Sequence, residues 1–484
     1  MASLLALPFT PVAALGLLIG AYVAVFGSLT WGQQSNFGTF GYDMGLYDQG
    51  IWLLSRFHEP FVTIRGLNFF AHHVNLITLL FVPAYWLGAG PHLLYLVETV
   101  WMAAGAVPLW LLARDRLRSP WLALVVAACF LLYPSLEWIN WWHFHPDALI
   151  ITPLLFAWWL AGRRRWGWFA AAVAVALACK EDAALAVTML GLVLAVRGQR
   201  RAGLLTAAAG LGWFLLATRV VIPAAGGGAG PFYQELFPGF GDSVGAIVWN
   251  MVVHPSRLLE LATMDDRLTY YWQVLAPVAF LPLAAPLVLL IGAPQTVVNV
   301  TSGHALTHDI HYHYTAIVLA AVFLAAVEGI AWAGRGRGVR RALVGVLLAA
   351  SLAANVAWSP SPLSREFDSG VWAGAQPRHA AVNAALRMVP PDAGVSAMYY
   401  MAPHLTHRVH VYEFPNPWVV TNWGAHGEHP PDPSTVDYLV VDRRLLGEQL
   451  PVYQRLVGPQ GGYQVIFERD DIAVAKRRRT ETRS

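Results

Sequence analysis

Residues 92–118 read HLLYLVETVWMAAGAVPLWLLARDRLR, a long apolar run closed by Arg114, Arg116 and Arg118. The hydrocarbon core of a bilayer is spanned by about 20 such residues. Arginines crowded beyond a span end mark the cytoplasmic side. Comparable runs recur at 11–31, 121–138, 147–162, 166–179, 183–197, 202–222, 314–333 and 342–358. Three further clusters lie between them: Arg163/Arg164/Arg165, Arg197/Arg200/Arg201 and Arg335/Arg337/Arg340/Arg341. Placing all four clusters inside fixes the parity of the rest. The first run then leads outward. Segment 74–90, broken by Pro83, cannot cross completely and reads as a re-entrant or interfacial helix. Segment 272–302, with Pro277, Pro282, Pro286 and Pro294, must cross an even number of times. The expected fold is a polytopic α-helical membrane protein of about 11 spans plus interfacial or re-entrant helices. Its N-terminus is cytoplasmic, and a small C-terminal α/β domain is extracytoplasmic.

Composition agrees. Of 484 residues, 56% are hydrophobic and 13% charged, where soluble proteins carry roughly 25% charged. The charges crowd towards the end: 26 of 61 follow Ser359. A soluble enzyme is thereby excluded for residues 1–358, which form the transmembrane domain, whereas 359–484 can fold in water. A net charge of +3 without a basic, aromatic-interleaved surface argues against nucleic acid. Cys129 and Cys179 both lie in apolar runs, so no disulfide framework is implied. The first 42 residues carry no charge and lack the basic region of a cleaved signal peptide. The topology also places all 17 histidines, and 14 of the 16 acidic residues before Ser359, on the outer side or at outer span ends; Asp115 and Glu328 are the exceptions. Short inner loops are the bland explanation. An outward-facing site is the other.

In the tail, Pro377 to Met388 has helical spacing, stopped by Pro390-Pro391-Asp392. Strands are expected at Val395–Tyr400, Val409–Phe414, Tyr438–Val441, Gln464–Phe467 and Ile472–Ala475, the last two as a hairpin through Glu468–Asp471. Residues 416–434 read as loop, and Lys476-Arg477-Arg478-Arg479 as an exposed basic end.

The densest chemical signal is the first outer loop, FGYDMGLYDQGIW at 40–52. Asp43 and Asp48 are five apart, about 140° around a helix, so they do not share a face. A carboxylate partly desolvated at the bilayer boundary has a raised pKa and can take a proton from a hydroxyl; the bland alternative is a solvated loop aspartate. Histidine sets follow at His72-His73, at NWWHFHPD (140–147) and across His304, His308, His311 and His313. They match no strong zinc spacing, so a divalent metal is compatible with them but not required. Lys180-Glu181-Asp182 sits between two apolar runs. Three charges at that boundary should face a polar cavity, with Lys180 suited to a lipid phosphate, or else they form a tight solvated turn with an internal ion pair.

Taken in order, YDMGLYDQ (42–49) with Trp52, His73 ahead of Pro83-Ala84-Tyr85, FHPD (144–147), KED (180–182), HYHY (311–314) and Tyr438 resemble the bacterial membrane proteins called "domain of unknown function 2079". That family is similar to the C-type glycosyltransferase superfamily. The resemblance, from about residue 36 to 475, implies a multi-span enzyme taking a sugar from a polyprenyl-phosphate donor on the outer face, for an envelope glycan or lipid acceptor. It implies Asp43 as base for an inverting displacement, with Asp48 as second candidate. His73, Tyr85, His145, Lys180, Glu181, His311 and His313 are the expected substrate-binding residues, and Arg56, Arg65, Arg257 and Arg267 are further cations that can face a phosphate. Many superfamily members carry adjacent acidic residues in this loop, unlike the five-residue spacing here. Two other readings stay open: a lipid or polysaccharide transporter, to which the proline-broken segments would belong, and a non-catalytic envelope assembly factor.

Overall fold

Prolines scattered through the apolar sequence open helices more often than they break them. The computed structural model describes residues 10–226, 236–367, 374–424 and 431–478. Helix α1 (Pro11–Ser35) begins at a proline, capped by Thr10, whose hydroxyl accepts the Ala13 N–H at 3.2 Å. Pro91, Pro120, Pro134, Pro146 and Pro286 open later helices the same way. At the first helical position the missing N–H costs nothing and the fixed φ is already helical.

After α1 come a π-helical turn (Gly41–Gly45), α2 (Leu46–Ser55) and a hairpin of β1 (Phe61–Val62) and β2 (Leu67–Asn68). The membrane helices follow: α3 (Leu76–Trp86), α4 (Pro91–Leu117), α5 (Pro120–Leu131), α6 (Pro134–Trp141), α7 (Pro146–Gly162), α8 (Trp166–Cys179), α9 (Ala183–Val196) and α10 (Arg200–Ala224). Beyond them lie α11 (Val244–Val253), α12 (Pro255–Ala262), α13 (Asp265–Leu275), α14 (Pro286–Thr301), α15 (His313–Ala333) and α16 (Arg337–Trp358). Among the described residues, α1, α4, α10, α15 and α16 are long and apolar enough to cross a membrane; α5 and α6, bent by 45°, make a sixth span if taken together. Helices α3, α7, α8, α9 and α14 are apolar but shorter. Helix α3, a 3-10 turn (Leu76–Phe81) running into an α-helical one (Val82–Trp86), covers about 20 Å, short of the hydrocarbon thickness of about 30 Å, and exposes Leu79, Leu80 and Trp86. Segment 272–302 is the end of α13, an irregular stretch with Ala279 and Phe280 at positive φ, and α14.

Helix α15 is the hub, with 78% of its apolar window buried against 22% for α1. Its small residues allow close approach: a Cβ on Gly329 would collide with the Leu281 carbonyl. Helices α9 and α10 meet along Gly191, Gly203 and Gly210, where any side chain would strike the opposite backbone.

The four arginine clusters gather at one end of the bundle. Arg163 pairs bidentately with Asp115 at 2.6 and 2.9 Å, and Arg116 and Arg197 reach Glu328. Arg340 reaches the Leu117 carbonyl. The two acidic residues that break the sequence polarity are thus the counter-ions of the arginine rim.

The tail forms a five-stranded sheet in the order β4-β3-β5-β7-β6: β3 (Val395–Ala397), β4 (Val411–Glu413), β5 (Tyr438–Asp442), β6 (Tyr463–Arg469) and β7 (Ile472–Arg477). Strand β3 runs parallel to β4 and β5; β7 is antiparallel to β5 and β6. Helices α17 (His379–Leu386) and α18 (Leu450–Val457) accompany it. The β6–β7 hairpin turns at Asp470 and Asp471, both at positive φ. Residues 425–430 of the expected loop, and Arg479 of the basic end, lie outside the described residues.

Candidate functional site

The turn Gly41–Gly45 carries Asp43 and is shaped by the tail. The Gly41 N–H donates to the Tyr399 carbonyl at 2.8 Å, and a Cβ on Gly41 would collide with the Glu413 carboxylate. A side chain at this position would push the Glu413 carboxylate aside. The Asp43 side chain, 24% exposed, lies 3.7 Å from His143 Nδ1 and 3.6 Å from His145 Nε2. These are ion-pair rather than hydrogen-bond distances. Both imidazoles are held from elsewhere. His143 Nε2 is 3.3 Å from the Gly38 carbonyl, and the His145 backbone N–H donates to Glu98 Oε1 at 3.1 Å. The His145 ring stacks on His313 at 3.8 Å.

This environment corrects the expected electrostatics. Burial alone would raise the Asp43 carboxyl, but the two imidazoles outweigh it and hold the group well below the usual carboxylate range. Asp43 is a standing anion, not a poised acid.

Two residues beyond His145, Asp147 receives Lys180 Nζ at 2.7 Å; Asp182 lies 3.3 Å from the same ammonium, and the Tyr314 ring faces it at 5.9 Å. Burial would lower the Lys180 ammonium, yet Asp147, Asp182 and Glu181 hold it above the ordinary lysine value. Glu181 turns the other way, 2.7 Å from His73 Nδ1 and accepting the Val74 N–H at 2.9 Å. Burial would raise its carboxyl, but His73 first, then Lys180 and the Val74 N–H, pull it below the usual value. Asp147, Lys180, Asp182, His313 and Tyr314 line one small cavity. A continuous polar path therefore runs from Asp43 through His145 and His313 to Lys180 and on to His73. Lys180 is buried and already engaged by two carboxylates, Asp147 and, within its own turn, Asp182.

Asp48 and Tyr85 form a separate cluster. Asp48 is fully buried, accepting from the Tyr85 O–H at 2.6 Å and from the Thr406 hydroxyl, with His407 Nε2 at 3.2 Å. His311 pairs with Asp309 and packs on Trp138 at the rim rather than against Asp43. His308 is elsewhere again, 3.0 Å from Asp266, which Arg267 also engages. Among the described residues no three His, Cys, Asp or Glu side chains are grouped as a metal ion needs.

Several site residues escaped the sequence reading. His143 and Asp147 flank the chosen His145 in the same motif. Glu98 announced itself as a lone acid inside an apolar span, and such residues are costly unless they serve something. Glu413, at the end of β4, gave no signal. Its carboxylate accepts the Tyr42 N–H, its Oε1 is buried without a partner, and burial, reinforced by Asp43 against the Tyr42 N–H, pushes its pKa up to about 7.

The helical membrane bundle shares its fold with a solved membrane protein. The chain superposes on ArnT from Cupriavidus metallidurans in two structures. Against ArnT bound to undecaprenyl phosphate the TM-score is 0.54 at 11% identity, over 95% of this chain and 97% of that one. Against the apo state it is 0.56 at 13% identity, over 96% and 98%. No curated protein matches the chain by sequence. The chain belongs to the family described as "Predicted membrane protein (DUF2079)", which matches residues 35–474.

Proposed function

We propose that the protein is an inverting glycosyltransferase that moves a sugar from a polyprenyl-phosphate donor to an envelope glycan or lipid acceptor, on the membrane face opposite the arginine rim. The observation that carries this reading is the polar path from Asp43 to Lys180, built from five distant stretches of chain in a fold shared with an enzyme that binds undecaprenyl phosphate. In the transfer, Asp43 takes the proton of the acceptor hydroxyl as its oxygen bonds to the anomeric carbon. The bond from that carbon to the phosphate oxygen breaks, and its electron pair leaves with the polyprenyl phosphate. An anion as weakly basic as Asp43 receives the proton late, once the attacking oxygen has become acidic. His143 and His145 orient it. Lys180 has three donors and two carboxylate partners, so one N–H remains for a phosphate oxygen. Arg65, which lies over the Tyr42 ring at 5.3 Å and has no carboxylate partner among the described residues, adds positive charge on the other side. The apolar edge of α3 is the wall for the isoprenoid.

The test is transfer from radiolabelled undecaprenyl-phosphate sugars by the purified chain in liposomes. It is combined with mass spectrometry of lipid-linked sugars in a deletion strain. Accumulation of an unconsumed donor supports the reading. Unchanged lipid-linked sugars, with loss of transbilayer movement of a lipid, would favour the transporter instead.

A further inference from the structure

The arginine rim contains cations of two kinds. Arg114 and Arg163 share Asp115, and Arg116 and Arg197 share Glu328. Arg164, Arg200 and Arg201 are exposed, and among the described residues no carboxylate lies within ion-pair reach of them. These three crowd the mouth of a groove of about 810 Å³ between α8 and α10. Below the mouth the walls are apolar apart from Thr206, whose hydroxyl is turned to the Ala202 carbonyl: Phe169, Val173 and Leu177 lie on one side, Leu205 and Ala209 on the other. The groove cannot be closed by sliding the helices together, because α10 is locked onto α9 by the Gly191–Gly203 contact. Both flanking helices also begin at this mouth, so their unpaired backbone N–H groups add to the positive field. At the same mouth, Gln199 donates to the Ala161 carbonyl at 3.3 Å while its buried Oε1 accepts nothing.

We propose that this groove is a binding site for one anionic glycerophospholipid from the leaflet at the arginine end. The phosphodiester sits among Arg164, Arg200 and Arg201, a hydroxyl of the glycerol headgroup donates to Gln199 Oε1, and an acyl chain lies along Phe169, Val173 and Leu205. Charge complementarity selects the occupant. A zwitterionic choline lipid would bring its ammonium against three arginines. A polyprenyl phosphate would leave Gln199 without a donor. The site lies at the opposite end of the bundle from Asp43 and does not depend on the reaction proposed there.

The test is native mass spectrometry of the full chain in detergent, titrated separately with phosphatidylglycerol, phosphatidylcholine, undecaprenyl phosphate and inorganic phosphate. Phosphatidylglycerol is expected to give one retained adduct and a rise in melting temperature, and the other three to give neither. Replacing all three arginines by glutamine should weaken the adduct about a hundredfold, at about fivefold per arginine. The same change at Arg335, Arg337 and Arg341 should leave it intact. Leu205→Trp fills the groove without touching a charge and should also abolish the adduct. Because Leu205 is 63% exposed, this variant should fold normally. Equal binding of phosphatidylcholine, a retained adduct in Leu205→Trp, or preference for undecaprenyl phosphate would overturn the proposal.

Discussion

In the proposed transfer Asp43 joins two demands that pull against each other, since a base should hold its proton well and yet be empty at neutral pH. His143 and His145 settle the conflict in favour of emptiness. Asp43→Asn should therefore cut turnover by about 10²–10⁴-fold while leaving polyprenyl-phosphate binding intact, measured by transfer rate and by lipid retention on the purified protein. Because the carboxyl is held low, its protonation should not produce an acid limb in kcat/KM between pH 5 and 7. His145→Gln removes one of the imidazoles and should move such a limb upward; an unmoved limb would mean that His145 does not act on Asp43. Glu413 behaves in the opposite sense. Its folded pKa lies above the ordinary value of about 4.3, so its contribution to stability is full below that pH and is lost as pH rises through about 7. Glu413→Gln should match the parent at low pH and exceed it at pH 8 by about 3 kcal/mol, read from melting curves at both pH values. Asp43 was legible in the sequence because its loop is so dense in polar and glycine residues. Glu413 was not, because a glutamate ending a short strand acquires its role only when the strand docks.

Among the elements, α2 and the 402–408 stretch of the tail are joined through Asp48. Tyr85 and Thr406 both donate to that carboxylate, and Gln49 beside it donates to the Arg408 and Val409 carbonyls. Asp48→Ala strands two buried hydroxyls and should destabilise the fold by about 1–3 kcal/mol. Limited proteolysis should then cut between Pro390 and Arg408 faster than in the parent; equal cleavage rates would show that Asp48 does not fasten the two elements. Gly203→Leu should fail more completely, since the added side chain meets the backbone of α9 at Ala195 and Gly191. The helices themselves were largely readable from apolar runs and arginine punctuation. Proline marked real breaks in 272–302: short 3-10 turns replace the helix at Ala276–Val278 and Leu281–Ala284. Another at Leu290–Gly292 divides α14 between the part that Pro286 opens and the part (Ala293–Thr301) where Pro294 sits near the start and its missing N–H is tolerated. The shortness of α8 and α9 was visible, but not that their junction carries Lys180 back to Asp147, since that contact depends on how α7 packs beside them.

At the scale of the molecule, a helix such as α4 runs from His92, near Asp48, to the arginines at its far end, about 40 Å away at 1.5 Å per residue. A cysteine at Gly338 and one at Ser434 should therefore label from opposite sides of a sealed vesicle with a membrane-impermeant maleimide. Labelling from the same side would break the topology. The polarity of the molecule was legible because arginines are counted along the chain, whereas the convergence of the site is a property of three-dimensional packing. That packing has a consequence in time. The backbone of Gly41 is held by Tyr399, and Thr63 exchanges hydrogen bonds with Val411. The loop bearing Asp43 therefore leaves the ribosome some 350 residues before its support is synthesised, a wait of roughly 20–70 s at ordinary elongation rates. Nascent chains are unfinished throughout that interval, with the Asp43 turn made but not yet held in place by the tail.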